Sequence, residues 1–272
     1  MLLKTRIITA LILGALVISA VFHPSHIFFS LLVSAFVLFG AWEWSVLAGL
    51  KLPFLRLIYA MSVLLATLGL TSLEGLFPIT LLLLPVNIFW VFTFLWLIFG
   101  PSPEVQKITI FQGTIRLFLG YLLLASAALG LLTLKQESAG LLMYVLGIAW
   151  VADIGAFFTG RQWGHVKLAP TLSPGKSWEG AVGGIVLVGL YALSAVALFE
   201  LADTQVIVAF VIATFTSAVF SIIGDLYESY IKRKANKKDS GTLLPGHGGV
   251  LDRIDSMLAS VPVFVFVFYL IK

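Results

Sequence analysis

Residues 204–271 read TQVIVAFVIATFTSAVFSIIGDLYESYIKRKANKKDSGTLLPGHGGVLDRIDSMLASVPVFVFVFYLI. Two apolar runs, at 204–224 and 252–271, flank a polar segment rich in lysine, glycine and aspartate. An apolar run of about 20 residues is long enough to cross a lipid bilayer as a helix. This stretch therefore predicts two membrane-spanning helices joined by a polar segment at the membrane surface.

The rest of the chain has the composition of a membrane protein. Of its 272 residues, 60% are hydrophobic and 11% are charged, whereas soluble domains have roughly 45–50% apolar and about 25% charged residues. We predict an all-α polytopic membrane protein with about nine transmembrane helices. The predicted spans are 7–23, 27–49, 53–72, 76–99, 112–134, 138–159, 178–200, 204–224 and 252–271.

The first apolar run follows Lys4 and Arg6, as the core of a signal peptide would, but it is long and lacks a clear small-residue cleavage site. We interpret it as a retained helix. The sequence contains no cysteine, which excludes disulfides and thiolate metal sites. Without a long linker or an internal repeat, we expect one membrane-embedded body, divided by role into residues 1–135 and 136–272.

Basic residues are distributed unevenly over the predicted topology. All 17 Lys and Arg residues except Lys135 and Lys272 fall on the side that holds the N-terminus and the loops after spans 2, 4, 6 and 8. The positive-inside rule predicts that this side is cytoplasmic. The net charge of +4 is therefore a signal of topology, and no nucleic-acid partner is predicted.

Two predicted cytoplasmic loops, 160–178 and 229–251, combine glycine, proline and basic residues. We expect them to form a polar cap over the ends of spans 6 to 9. Glycine lets backbone N–H groups approach phosphate oxygens, and Lys and Arg neutralise those oxygens. The first loop also reads as an ordinary turn, with Ser177 capping the next helix and Gly180 at its third position.

Carboxylates gather at the same helix ends. Asp225 and Glu228 lie three residues apart at the end of span 8, and Asp252 and Asp255 repeat that spacing at the start of span 9. Carboxylate oxygens are hard ligands that suit a divalent cation. The two acidic helix ends therefore predict a magnesium site, with pairing to nearby arginines as the structural alternative.

Two further acids lie in apolar runs. Asp153 lies roughly 10 Å below the cytoplasmic end of span 6, given a rise of about 1.5 Å per residue. An acid at that depth normally faces the protein interior or a water-filled cavity. Glu43, between Trp42 and Trp44 in span 2, is interpreted as a packing or interface residue.

Residues 229–255 fit the pattern Ser-x-x-Lys-Arg-x4-Lys-Asp-x-Gly-x2-Leu-Pro-x-His-Gly-Gly-x-x-Asp-Arg-x-Asp. This pattern resembles the signature of the phosphatidate cytidylyltransferases, also called CDP-diacylglycerol synthases. Residues 153–161 and 172–180 resemble an upstream motif of that family, usually Asp-x-Gly-Ala-Tyr and Ser-Pro-Lys-Lys-Thr-Trp-Glu-Gly. Here Phe157 replaces the tyrosine, Gly175 the first lysine and Ser177 the threonine, which leaves Lys176 as the only lysine of the motif.

The resemblance covers mainly residues 150–256 and implies transfer of the cytidylyl group of CTP to phosphatidate, with release of pyrophosphate. It implies that residues 136–272 form the catalytic region and that residues 1–135 form a membrane body, a lipid-access route or a dimer interface. It further implies Mg²⁺ held by Asp225 and Asp252, with Asp255 as a further ligand and with room for a second cation.

The remaining site residues follow from the same motifs. Lys232, Arg233, Lys238 and Arg253 are expected to hold phosphates. For His247, contact with a phosphate or ordering of the loop is favoured over general-base catalysis, because phosphatidate is already largely ionised near neutral pH. A general base and a merely polar residue in a flexible turn stay as alternatives. Further contacts with the nucleotide are expected from Ser173, Lys176, Ser177, Asp239, Gly248 and Gly249.

The expected partners are CTP, phosphatidate and the lipid bilayer, and the resemblance leaves a homodimer open. The short N-terminal segment suits a bacterial inner (plasma) membrane enzyme with its site loops in the cytoplasm, and an organelle membrane is the alternative. Two alternatives stay open. A polyprenol kinase or an isoprenoid-lipid cytidylyltransferase would share the headgroup chemistry, and a transporter would also have many helices, with its site near the midplane on broken helices.

Overall fold

A computed structural model describes residues 2–99 and 109–272, and their side chains from residue 7 onward. The side chains of Lys4 and Arg6, and the whole of Lys107, which the topology prediction places on the cytoplasmic side, lie outside this description. The described chain forms ten helices and one two-stranded sheet. They are α1 (Leu2–Phe22), α2 (His26–Leu47), α3 (Pro53–Ser72), α4 (Ile79–Ile98), α5 (Ile110–Glu137), α6 (Ala139–Trp163), β1 (Lys167–Ala169), β2 (Ser173–Ser177), α7 (Trp178–Leu198), α8 (Thr204–Lys234), α9 (Leu251–Ile254) and α10 (Met257–Ile271).

The helices confirm an all-α polytopic membrane protein. Eight helical segments of the described chain are long and apolar enough to cross a membrane, and these coincide with predicted spans 2 to 9. The first predicted span contains a shorter apolar helix, Ile7–Phe22, so the count of nine stays a prediction. The last span, Leu251–Ile271, consists of α9 and α10, which are separated by a turn at Asp255 and Ser256.

Helix α8 continues well beyond the end predicted for it. The loop predicted from residue 229 begins instead after Lys234, where the helix ends. Buried side chains at Leu226, Tyr227 and Ile231 hold the extra turns against the protein. The last turn carries Lys232, Arg233 and Lys234, and cations are favourable there because the C-terminal end of a helix carries partial negative charge.

The described chain forms two compact units, neither continuous in sequence. The first comprises the described residues of Met1–Leu76, Glu104–Met143 and Ile231–Asp255, and the second those of Phe77–Pro103, Tyr144–Tyr230 and Ser256–Lys272. The motif loop after α8 therefore packs with N-terminal helices, although it is far from them in sequence. The predicted division at residue 135 concerns function, which this packing does not test.

The first unit is built around α2, α3 and α5. The indole of Trp44 donates a hydrogen bond to the carbonyl of Arg116 (2.6 Å), and the Arg116 guanidinium donates one to the carbonyl of Leu47 (2.9 Å). The Tyr59 hydroxyl donates to the carbonyl of Leu117 (2.8 Å). A Cβ at Gly120 would overlap Trp44 and Tyr59, so this glycine lets α5 approach the other two helices. These bonds satisfy polar groups inside the apolar core.

The second unit includes α4, α6, α7, α8 and α10. Trp90 on α4 donates a hydrogen bond to the carbonyl of Leu258 on α10 (3.2 Å). Helices α6 and α7 approach closely through glycines: a Cβ added at Gly155 would lie 2.9 Å from the Cα of Gly184. Small residues of this kind let membrane helices pack backbone to backbone. Their packing holds the start of α7, where the upstream motif lies.

Candidate active site

The segment between α6 and α7 folds into a short antiparallel hairpin, where a loop and turn were expected. Strand β1 pairs with β2, with Lys167 opposite Ser177. The Trp178 N–H donates to the carbonyl of Val166 (2.9 Å), and the Val166 N–H donates to the carboxylate of Glu179 (3.0 Å). The acid of the Trp-Glu-Gly motif thus ties the hairpin to the first turn of α7.

Ser177 caps the start of α7, as predicted. Its hydroxyl accepts a hydrogen bond from the N–H of Gly180 (3.1 Å), which satisfies one donor at the helix start. A Cβ at Gly180 would lie 2.9 Å from the carbonyl oxygen of Ala156 on α6. The motif glycine is therefore required by helix packing. Together these contacts fix the backbone of β2 against α6.

A cavity of about 180 Å³ opens beside this hairpin within the second unit. Lys176, Ser177 and Gly180 line it, together with Asp153 and Phe157 of α6. Asp153 is exposed, as expected for an acid that faces a cavity. The position where the motif usually has tyrosine, Phe157, also borders the cavity. The upstream motif therefore lines one concave site whose wall is mainly apolar, with Asp153, Lys176 and Ser177 as its polar side chains.

Lys176 and Asp225 form an ion pair in this unit. Their side chains are 25% and 27% exposed, so both remain reachable from solvent. The Ser229 hydroxyl donates a long hydrogen bond to Oδ1 of Asp225 (3.3 Å), one turn along α8. The structure thus brings together a motif lysine and a predicted metal ligand from segments far apart in sequence.

The first unit contains a second and more buried pair. The Lys232 ammonium lies 2.7 Å from Oδ1 of Asp252, and the two side chains are 11% and 6% exposed. Oδ2 of Asp252 accepts hydrogen bonds from the Ser240 N–H (2.9 Å) and the Gly249 N–H (2.8 Å), and it lies 3.0 Å from the Ser240 hydroxyl oxygen. Asp252 therefore organises the loop that precedes it.

That loop contains a tight turn at residues 244–248. The Leu244 N–H donates to the carbonyl of Gly248, and the His247 N–H donates to the carbonyl of Leu244, both at 2.9 Å. Gly246 and Gly248 have φ of 75° and 84°, in the left-handed region that side chains disfavour. Nδ1 of His247 is buried without a hydrogen-bond partner. A buried polar atom of this kind fits the prediction that His247 contacts a ligand or orders the loop.

Glu43 of α2 reaches this loop, a role that the sequence interpretation missed. It is only 4% exposed. Its carboxylate accepts hydrogen bonds from the N–H groups of Val250 (3.0 Å) and Leu251 (2.9 Å), and from the Ser240 hydroxyl (2.9 Å). The available signal was the high free-energy cost of an acid inside an apolar span, which requires strong compensation.

The remaining predicted residues are at or near the surface. Lys238, Asp239 and Arg253 are exposed, whereas Ser173 and Asp255 are partly buried. Arg233 is also partly buried, and its guanidinium donates a long bond to the carbonyl of Lys237 (3.4 Å). The exposed cations are available to an anionic ligand.

Carboxylates for a metal are present in both units. Among the described residues, no three His, Asp or Glu side chains converge as a site made of protein ligands alone would require. Mg²⁺ commonly uses only one or two carboxylates, with water and substrate phosphates as its other ligands. Asp225 fits such a role because it is partly exposed and contacts one lysine and one serine. Asp252 is already surrounded by the Lys232 ammonium, two backbone N–H groups and the Ser240 hydroxyl, so a metal there would have to replace one of these contacts.

These features define a class of protein: a helical integral membrane protein with lysine–aspartate pairs and a glycine-rich loop between its spans, suited to phosphate-bearing ligands. The profile of the cytidylyltransferase family matches residues 4–271. The chain therefore belongs to the cytidylyltransferase family, which confirms the resemblance inferred from the two motifs.

Curated relatives extend over nearly the whole chain. It is 40% identical over 265 residues to a phosphatidate cytidylyltransferase of Pseudomonas aeruginosa, with 96% of this chain and 95% of that protein covered. It is 34% identical over 293 residues to the protein of that name from Haemophilus influenzae, with 99% of both covered. A third relative of that name, from Bacillus subtilis, is 34% identical over 249 residues, covering 79% of this chain and 88% of that protein.

Proposed function

We propose that this protein transfers the cytidylyl group of CTP to phosphatidate and so forms CDP-diacylglycerol and pyrophosphate. The observation that carries this proposal is the similarity, along nearly the full length of both chains, to proteins named phosphatidate cytidylyltransferase. The two motifs that match the family also form ordered polar clusters here, at Lys176 with Asp225 and at Lys232 with Asp252.

In the proposed reaction, a phosphate oxygen of phosphatidate attacks the α-phosphorus of CTP. A new oxygen–phosphorus bond forms, the bond from the α-phosphorus to its bridging oxygen breaks, and pyrophosphate leaves with the electron pair. The nucleophile is already an anion, so no base has to remove a proton. The protein has to neutralise charge and align the two phosphates.

Lysine–aspartate pairs suit that task because the lysine can leave the aspartate for a phosphate, and the aspartate can then bind a cation. Lys176 and Lys232 are held in place by Asp225 and Asp252, and a polyphosphate offers them a more highly charged partner. When a lysine turns to phosphate, its aspartate becomes available to a cation. We assign Lys176 and Lys232 to phosphate binding, with the exposed Lys238 and Arg253 as further cations for the polyphosphate.

We assign the Mg²⁺ ligands to Asp225 and Asp252, with Asp255 as a further carboxylate. Bound Mg²⁺ would neutralise the polyphosphate and polarise the α-phosphorus. The partial exposure of Asp225 supports its assignment. For Asp252 the support is its place beside Lys232 and the Gly249 N–H, two groups suited to phosphate oxygens.

We further propose a bacterial inner membrane location, with the motif loops in the cytoplasm. The membrane is supported by the bacterial relatives of the chain, and the orientation by the concentration of Lys and Arg on one side of the predicted topology. CTP is a cytoplasmic nucleotide and phosphatidate is a membrane lipid, so a polar loop at that surface would meet both substrates. A homodimer also stays a prediction.

The test is conversion of radiolabelled CTP to a chloroform-extractable product by the purified protein, with phosphatidate and Mg²⁺ each present or omitted. We expect a cytidine-containing lipid only when both are present. Transfer of the γ-phosphate label to a lipid would overturn the proposal in favour of a CTP-dependent lipid kinase. The absence of transfer with phosphatidate in a folded preparation would also overturn it.

A further inference from the structure

The buried carboxylate of Glu43 links α2 to the motif loop, and the proposed function leaves this link unused. Glu43 and its partners all belong to the first unit. The bonds from Ser240, Val250 and Leu251 are 2.9 to 3.0 Å long. A buried carboxylate is expensive unless several donors compensate for its lost hydration. Here one short segment, residues 240–251, supplies these three donors.

The loop is shaped to admit this side chain. A Cβ at Gly241 or at Gly249 would overlap the Glu43 carboxylate. One turn earlier on α2, a Cβ at Gly40 would lie 3.4 Å from the Leu251 side chain. The backbone of the loop therefore lies directly against α2 on both sides of the turn. Glycines of the family motif serve this contact as well as any contact with phosphate.

Ser240 joins Glu43 to the predicted metal ligand. Its hydroxyl lies 2.9 Å from Oε2 of Glu43 and 3.0 Å from Oδ2 of Asp252. Ser240 is 3% exposed, so water does not compete strongly for these contacts. The Ser240 N–H also donates to Oδ2 of Asp252. A displacement of Ser240 would therefore move both donors away from Asp252.

We propose that Glu43 is a positioning residue for the proposed cytidylyl transfer, acting with Ser240 as one unit that fixes the carboxylate of Asp252 and the backbone of Gly248 and Gly249. This inference rests on the proposed function. Glu43 itself does not touch the reacting atoms; it sets where the loop holds them. Misplacement of a reacting group by about 1 Å can lower a rate by about 100-fold.

The central test is Glu43→Gln in the full-length protein, with Glu74→Gln as the matched control. Glu74 is a carboxylate of the same unit that accepts a bond from the Thr133 hydroxyl (2.6 Å), away from the loop. In Glu43→Gln the amide NH₂ must face at least one of the three donors, so at least one bond is lost. We expect kcat to fall by about 100-fold, while Glu74→Gln retains wild-type kcat.

A readout independent of activity is trypsin cleavage after Lys237 and Lys238, followed by the masses of the fragments. Both lysines immediately precede the segment that Glu43 holds. We expect faster cleavage there in Glu43→Gln at a temperature well below the thermal midpoint of every variant, and unchanged cleavage in Glu74→Gln. If wild-type protein makes no CDP-lipid, the proposed function fails, but the cleavage rates still test the role of Glu43.

A double-mutant cycle tests the link through Ser240. If Glu43 and Ser240 act as one unit, Glu43→Gln and Ser240→Ala together will lower kcat about as much as the stronger single change. If the effects of the two substitutions on kcat multiply fully in the double variant, Glu43 and Ser240 act independently and the proposed unit is contradicted. Wild-type kcat in Glu43→Gln, or a loss of kcat with wild-type cleavage of the loop, would overturn the positioning role. Should Glu43→Gln fail to fold, Ser240→Ala carries both readouts.

Discussion

The carboxylate of Asp252 combines a structural role with a proposed catalytic one. Asp252→Asn preserves the size of the side chain but removes its charge and one acceptor oxygen. We expect Mg²⁺-dependent turnover to fall by at least about 100-fold, the scale for loss of one preorganised electrostatic group. The measurement is turnover of purified protein against Mg²⁺ concentration, with a size-exclusion profile to verify that the variant stays folded.

Asp203→Asn is the matched control for Asp252→Asn. Asp203 accepts bonds from the N–H groups of Gln205 (2.7 Å) and Val206 (3.0 Å) at the start of α8, so its role is that of a helix cap. Asparagine caps helices about as well as aspartate, so this substitution should leave both the stability and the Mg²⁺ dependence nearly unchanged. Normal turnover in Asp252→Asn would remove Asp252 from the set of metal ligands.

Position 248 requires glycine for two reasons: its backbone conformation disfavours a side chain, and Asp252 leaves no room for one. Its φ is 84°, and a Cβ there would lie 2.6 Å from Oδ2 of Asp252. We expect Gly248→Ala to destabilise the loop by about 1–3 kcal/mol, the usual cost of a strained backbone position, and to lower turnover. Gly69→Ala in α3 is the control, because no atom lies within 4 Å of the added Cβ.

Turnover and loop cleavage by trypsin would be compared for the two glycine variants. Equal turnover and equal cleavage rates in Gly248→Ala and Gly69→Ala would show that the turn tolerates a side chain.

The requirement for glycine at position 248 could be inferred from the motif, whereas the role of Glu43 could not. Glu43 and Ser240 are 197 residues apart in sequence, and no local pattern identifies such a pair.

Helices α6 and α7 form the element pair that supports the hairpin. A Cβ added at Gly184 would lie 2.6 Å from the carbonyl oxygen of Ala152. Gly184→Val must therefore push the two helices apart, and overpacking of this kind costs about 1–3 kcal/mol. We expect a lower thermal midpoint in detergent and weaker binding of CTP at the cavity that Lys176 lines.

Val182→Leu is the control for Gly184→Val, because Val182 lies on the same helix with its side chain exposed. Its thermal midpoint should match that of the wild type. A wild-type midpoint in Gly184→Val would show that α6 and α7 are not packed through this glycine.

The spans could be predicted more accurately than the segments between them. Span positions follow from long apolar runs, and the helices start and end within a few residues of most predicted limits. The continuation of α8 to Lys234 was missed because charged residues were taken to mark a loop, although buried Tyr227 and Ile231 stabilise a helix there. The hairpin of β1 and β2 was missed because its pairing depends on Val166, Trp178 and Glu179, which lie outside the turn itself.

At the scale of the whole molecule, the distribution of charge makes a prediction about orientation. Lys51 follows α2 and Gln136 lies in the last turn of α5, and both side chains are exposed. The helices between them, α3, α4 and α5, are each long and apolar enough to cross a membrane. An odd number of crossings separates the two positions, so they must lie on opposite faces if all three helices span the bilayer.

The sequence contains no cysteine, so Lys51→Cys and Gln136→Cys each provide a single label site without further engineering. With a membrane-impermeant maleimide, we expect intact cells of a bacterial host to label Gln136→Cys and not Lys51→Cys, and inverted membrane vesicles to give the reverse. The reason is the excess of Lys and Arg on the Lys51 side, which the positive-inside rule places in the cytoplasm. Wild-type protein, which should remain unlabelled, is the control for background. Labelling of both variants from the same face would contradict three crossings between these positions. If instead intact cells labelled Lys51→Cys and inverted vesicles labelled Gln136→Cys, the three crossings would stand but the orientation would be reversed. The motif loops would then lie outside the cytoplasm, away from CTP.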